Sequence, residues 1–241
     1  MTHPFGAHLP RPAKGKLSIY LLGPGVGESQ VVVFPDGRCM VVDGCTHDGV
    51  NLPAARLEHL GVVSIEALVL AHPDLDHLCE VAEVVRRFTP RRVFRYPALG
   101  YVRDFVALWH NAHPGRPRYR ELAKAIAVLD DHANLPGTFA DAPCSSTRPW
   151  SPKGALYTVH FLAPTPFDRD RVRLIWNKIV EYKAGRDVLS RRYERLMNGE
   201  TRPGDAPNAV SLGVVAEWGG TQVAPGRRRG EWQAQRTGRH R

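Results

Sequence analysis

Four side chains able to hold a cation, His72, Asp74, Asp76 and His77, fall within the six-residue segment His72-Pro73-Asp74-Leu75-Asp76-His77. Imidazole nitrogens and carboxylate oxygens together suit Zn²⁺, Mn²⁺ or iron. Carboxylates packed so closely repel one another unless a positive charge neutralises them, and a divalent cation accounts economically for the cluster. The same residues admit a plainer arrangement, in which Asp76 caps a following helix while Asp74 and the imidazoles lie on a polar loop. On residue types alone, both readings stay open.

Ligands gathered in one loop need rigid elements on either side. Residues 67–71 form a short apolar run that reads as a buried strand, and an apolar helical pattern begins at Leu78. Upstream, residues 17–22, 30–34 and 39–42 read as strands, with Pro35-Asp36-Gly37 as the turn of a hairpin. The segment Gly23-Pro24-Gly25-Val26-Gly27-Glu28-Ser29 is glycine-rich. No Lys follows it and no helix opens after it, so it reads as a strand connection and not as a phosphate cradle. A helix over 52–60 ends at Gly61. Further helices are expected at 78–88, 105–111, 119–131, 172–183 and 188–197, and further strands at 92–96, 156–163 and 209–217. Residues 133–153 and 199–207, rich in Pro, Gly, Ser and Asp, read as surface loops. Strands alternating with helices predict an α/β layered fold, but pattern alone does not separate a Rossmann-like sheet from a β-sandwich flanked by helices.

A length of 241 residues with 43% hydrophobic and 24% charged composition is enough for one sizeable core and too apolar for wholesale disorder. No stretch approaches the roughly 18 apolar residues of a membrane span. Residues 1–16 hold Pro and His where a signal peptide needs an apolar run, and they read as a disordered leader. A cytoplasmic protein without a membrane partner is therefore expected, with Cys39, Cys45, Cys79 and Cys144 as reduced thiols. The formal charge of +9 raises the question of nucleic acid. Residues 225–241 carry six arginines against Glu231, a net +5, which leaves +4 for the rest of the chain. A body so mildly basic is weak support for a phosphate-backbone partner.

The His-x-Asp-x-Asp-His run after a hydrophobic strand resembles the His-x-His-x-Asp-His signature of the metallo-β-lactamase superfamily, in particular its competence-protein branch, the hydrolase domain of the ComEC type. Three more pieces stand in the family's order. They are the loop Gly23-Pro24-Gly25-Val26-Gly27-Glu28-Ser29, the pair Phe34-Pro35-Asp36-Gly37 and Val41-Val42-Asp43-Gly44, and Asn208-Ala209-Val210-Ser211-Leu212 before a strand. The resemblance covers residues 17–223 and implies an αββα sandwich. It implies that His72 and Asp74 contribute to one metal site, while Asp76 and His77 hold a second metal and orient its water. It makes Asp43 a carboxylate that supports this loop from behind the ligands. The implied cofactor is Zn²⁺ or Mn²⁺, up to two ions in an intact site, with Asp74 in place of the usual second histidine favouring the harder metal. Cys79 stands where the family often has glycine and is expected to be a bystander.

The implied reaction is hydrolysis of a phosphodiester or related ester, nucleic acid included, with Asp76 as the catalytic residue and no organic cofactor. Where the family continues into an apolar strand, a Gly-Asp with a bridging aspartate and a later histidine, this chain reads Ala224-Pro225-Gly226-Arg227-Arg228-Arg229. A frameshift near Val223 would account for the change. It would leave 17–223 as a partial domain, incomplete at its C-terminal end, and 224–241 as a basic, disordered tail in which His240 is not expected to be a ligand. Two rival functions are an inactive remnant or interaction protein that keeps the fold, and a nucleic-acid-binding arm formed by the tail.

Overall fold

A computed structural model describes residues 9–23, 27–72, 75–95, 117–135, 139–141, 143–170, 212–218, 221–224 and 233–236. The expected helices at 105–111, 172–183 and 188–197, the loop at 199–207, and residues 208–211 lie outside them, as do Asp74 and His240.

The chain opens with an antiparallel meander, β1 (Ser18–Leu22), β2 (Ser29–Val33) and β3 (Cys39–Val42), in which Tyr20 faces Val31 and Val32 faces Met40. The expected hairpin turn is present: the Gly37 N–H donates to the Phe34 carbonyl at 2.8 Å, and the Arg38 N–H to Asp36 Oδ1 at 3.0 Å. A two-residue pair, β4 (Thr46–His47) and β5 (Val50–Asn51), leads into helix α1 (Leu52–His59). Asn51 caps α1, its side-chain oxygen accepting from the Ala54 N–H at 3.0 Å.

From β3 onward the sheet is parallel: β6 (Ala67–Val69), β7 (Arg92–Phe94) and β8 (Phe139–Asp141) follow in order. Parallel neighbours need long crossovers, and helices supply them. They are α1, then α2 (Leu75–Leu78) and α3 (Val81–Phe88), then α4 (Pro117–Ala133). The resulting six-stranded order is β1-β2-β3-β6-β7-β8. A second sheet, ordered β12-β11-β10-β9, is antiparallel and consists of β9 (Tyr157–Ala163), β10 (Gly213–Trp218), β11 (Thr221–Ala224) and β12 (Gln233–Arg236).

Side chains alternate across a strand, and the first sheet is apolar on both of its faces. Val31, Val33, Val41, Leu68, Leu70 and Val93 pack with Leu57 of α1, Val81, Val84, Val85 and Phe88 of α3, and Ala125, Ile126 and Leu129 of α4. Val32, Phe34, Met40, Val42, Ala67, Val69 and Phe94 point the other way, against Tyr157, Val159, Phe161, Val214 and Ala216 of the second sheet. Helices, sheet and sheet thus form three layers of an α/β fold consistent with that of a metallo-β-lactamase. The face-to-face core includes a stacked Phe34–Tyr157 pair with ring centroids 3.5 Å apart.

Several boundaries differ from the sequence-based expectation. The helix expected over 78–88 starts later, as α3 at Val81: Leu78 closes the short α2, and Glu80 between them adopts a left-handed conformation with φ 59°. The stretch 133–153, read as loop, contains β8, and the tail expected to be disordered contains β12. Leu9 and Pro10, within the segment read as a leader, are tied to the body. The fully buried Arg56 donates to the Leu9 carbonyl at 3.3 Å and the Pro10 carbonyl at 2.6 Å, while lying 3.9 Å over the Tyr20 ring. No helix among the described residues is long and apolar enough to cross a membrane.

Candidate metal centre

The candidate residues sit at the carboxyl ends of parallel strands, the edge at which open α/β sheets characteristically hold ligands. Asp43 follows β3 directly, and His72 comes three residues after the end of β6. The adjoining strand ends are stitched together, the Asp43 N–H donating to the Val69 carbonyl and the Leu70 N–H to the Phe94 carbonyl, both at 2.8 Å.

Asp43 organises the loop. Its Oδ1 accepts from the Ala71 N–H at 2.7 Å, and its Oδ2 lies 2.8 Å from His77 Nδ1. One buried carboxylate therefore fixes both the backbone just before His72 and the ring of His77. Burial pushes the Asp43 carboxyl above the usual carboxylate range, and the hydrogen bond and charge of His77 and the Ala71 N–H oppose that shift. With Nδ1 held by Asp43, His77 Nε2 lies on the side of Asp76, 3.8 Å from Asp76 Oδ2. The His72 and His77 rings are 5.2 Å apart, centroid to centroid, and His72 is buried. Asp76 is the exposed member of the group, its side chain 58% accessible.

Two glycines let other segments close on this loop. A Cβ at Gly27, where φ is 86°, would stand 1.8 Å from the Asp76 carbonyl oxygen, and a Cβ at Gly44 would stand 2.1 Å from that of Cys79. Only glycine fits either place. The Gly44 N–H donates to the His77 carbonyl at 2.8 Å, and the Cys79 thiol points back to the Gly44 carbonyl at 3.3 Å. Burial, with the nearby charges of Glu80 and Asp76, raises the Cys79 thiol to about 11.

Two contributors carry no sequence signal of their own. Ser29, the last residue of the glycine-rich segment, donates from its buried hydroxyl toward the Asp43 carbonyl at 2.8 Å and the Val42 carbonyl at 3.0 Å. Asn51, besides capping α1, donates to the Glu80 carbonyl at 3.0 Å and to Glu83 at 2.9 Å, bracing the turn that closes the loop. From the second sheet, the Leu212 N–H donates to the Ala71 carbonyl at 2.9 Å.

The structure brings together His72, Asp76, His77 and Asp43. Among the described residues, no group of three or more His, Cys, Asp or Glu side chains is closed tightly enough to hold a metal ion. The donor set nevertheless suits a divalent cation. An imidazole anchored through one nitrogen by a buried carboxylate is the usual arrangement of a ligating histidine, and His77 with Asp43 has it.

Residues 23–161 match the family model of the metallo-beta-lactamase superfamily. That stretch is more than half of the 241-residue chain, and the chain belongs to this superfamily. Membership supports a hydrolase-like function and the divalent-metal chemistry common in the superfamily. Comparison with curated proteins gives no match.

Proposed function

We propose that the protein is a metal-dependent hydrolase acting on a phosphodiester or a related ester, of the kind its likeness to the competence-protein branch implies. His72, Asp74, Asp76 and His77 would hold one or two Zn²⁺ or Mn²⁺ ions. A divalent cation there supplies Lewis acidity toward the scissile ester and makes hydroxide accessible near neutral pH. The chain's own residues do the rest. Asp43 fixes His77 through Nδ1, the Ala71 clamp sets the start of the loop, and the exposed Asp76 carboxylate would orient water. The observation that carries this reading is the bond of His77 Nδ1 to Asp43, 2.8 Å long, because it presets a histidine for ligation. All four cysteines, Cys39, Cys45, Cys79 and Cys144, are free and buried, which supports a reducing, cytoplasmic setting.

The direct test is hydrolysis of bis(p-nitrophenyl) phosphate by the full chain supplied with Mn²⁺ or Zn²⁺. Turnover abolished by a chelator and by Asp76→Asn is the expected result. Turnover that survives both, or the absence of any with either metal, contradicts the proposal.

A further inference from the structure

Asp43 is one of four non-glycine residues with positive φ among the described residues, at 55°. Left-handed backbone is uncommon for any residue but glycine, though aspartate tolerates it better than most, and it persists where the surroundings hold it. The holding contacts are visible. The Asp43 N–H is bound to the Val69 carbonyl at 2.8 Å, and its carbonyl accepts from Ser29 Oγ, also at 2.8 Å. Ser29 is 2% exposed and reaches the Val42 carbonyl as well, at 3.0 Å. A hydroxyl has one proton, so the two carbonyls share it, and the peptide joining Val42 to Asp43 is gripped at both ends. The direction of the Asp43 carboxylate follows from that backbone, and the ring of His77 follows from the carboxylate.

We infer that Ser29 is a positioning residue for the metal centre, acting on His77 through Asp43 without touching a ligand. The inference rests on the proposed role of His77, but its first consequence concerns the ring alone and is readable without metal.

In the metal-free full chain, nitrogen and proton NMR of selectively labelled histidine reports whether the His77 Nδ1 proton is held by Asp43. The expected result is a protected, downfield proton in the parent protein, lost or broadened in Ser29→Ala and restored in Ser29→Thr, which keeps the hydroxyl. With Co²⁺ as the probe, Ser29→Ala should weaken binding about tenfold, the lower end of what groups behind metal ligands contribute. Ser29→Thr should recover it. In an Asp43→Asn background, Ser29→Ala should add little, because both substitutions cut the same chain of contacts. A His77 signal unchanged in Ser29→Ala, or effects of the two substitutions that simply add, would overturn the inference. Failure of the parent protein to bind Co²⁺ would count against the proposed hydrolase and leave the His77 signal to decide the role of Ser29.

Discussion

The six-stranded and four-stranded sheets share a core, yet the side chains with chemistry in the described structure belong to the first. Its parallel strands must be joined by helical crossovers, so each strand ends in a long loop at one edge, and the loops after β3 and β6 meet there with Asp43, His72, Asp76 and His77. The second sheet is antiparallel, and its strands β10 and β11 are only two residues apart in the chain. What it gives the site, among the described residues, is packing behind it and one backbone contact, from Leu212 to Ala71. A core shared between sheets does not imply a site shared between them.

If the division is real, damage to the second sheet should cost stability and leave the site's chemistry intact in the molecules that remain folded. Phe161 is buried against Phe94, ring centroids 4.9 Å apart. Phe161→Ala should lower unfolding free energy by about 3–5 kcal/mol in urea denaturation, with metal affinity per folded molecule unchanged. A fall in affinity at full folding would show that the second sheet shapes the site directly.

The converse substitution is Asp43→Asn, which keeps volume and removes charge. It should weaken metal binding by about 10–100-fold, measured by competition with a chromophoric chelator. An unchanged affinity would mean that the His77–Asp43 contact has no bearing on the ligand.

A smaller effect concerns the helical layer. His132, buried near the end of α4, is held below the ordinary imidazole value first by desolvation and then by the charge of Arg95, against the Pro90 carbonyl, which raises it. Since the folded value is depressed, the stability this group contributes is complete above the ordinary imidazole pKa. It is lost as pH falls from there through the folded value, where the unfolded chain binds the proton more readily. His132→Gln should flatten the acid side of the stability profile, as read by thermal unfolding across that range. An unchanged slope would remove His132 from the account.

The smallest effect is expected on the outer face of the second sheet. His160 Nε2 and Glu217 Oε2 lie 3.1 Å apart, each side chain about a third exposed. Solvent screens such pairs, and Glu217→Gln should change stability by less than about 1 kcal/mol. A larger loss would show that this face is more tightly structured than the exposure of the pair suggests.

Much of the first sheet is legible in the sequence because its strands are apolar on both faces and punctuated by turn residues. Pro35-Asp36-Gly37 marks the hairpin, and residues 67–71 mark the central strand. The α3 face, Val81, Val84, Val85 and Phe88, is readable from helical spacing. The break at Glu80 is not, since no glycine announces the left-handed residue and its support comes from Asn51, 29 positions away. Strands β8 and β12 are short, and periodicity says little about three or four residues. At the site, the cluster of His72, Asp74, Asp76 and His77 stands out by composition alone. The role of Asp43 is implied only by the family resemblance, because it depends on a contact with His77 across 34 positions. Ser29 was hidden for the same reason: what matters about it is which carbonyls its hydroxyl meets.

Whether this loop binds a divalent cation is decided by elemental analysis of the purified full chain, equilibrated with Zn²⁺ or Mn²⁺ and freed of excess. The parent protein should carry near-stoichiometric metal, and a folded His72→Ala variant should have lost it. A folded parent chain without metal, or a variant that retains as much as the parent, would contradict such binding.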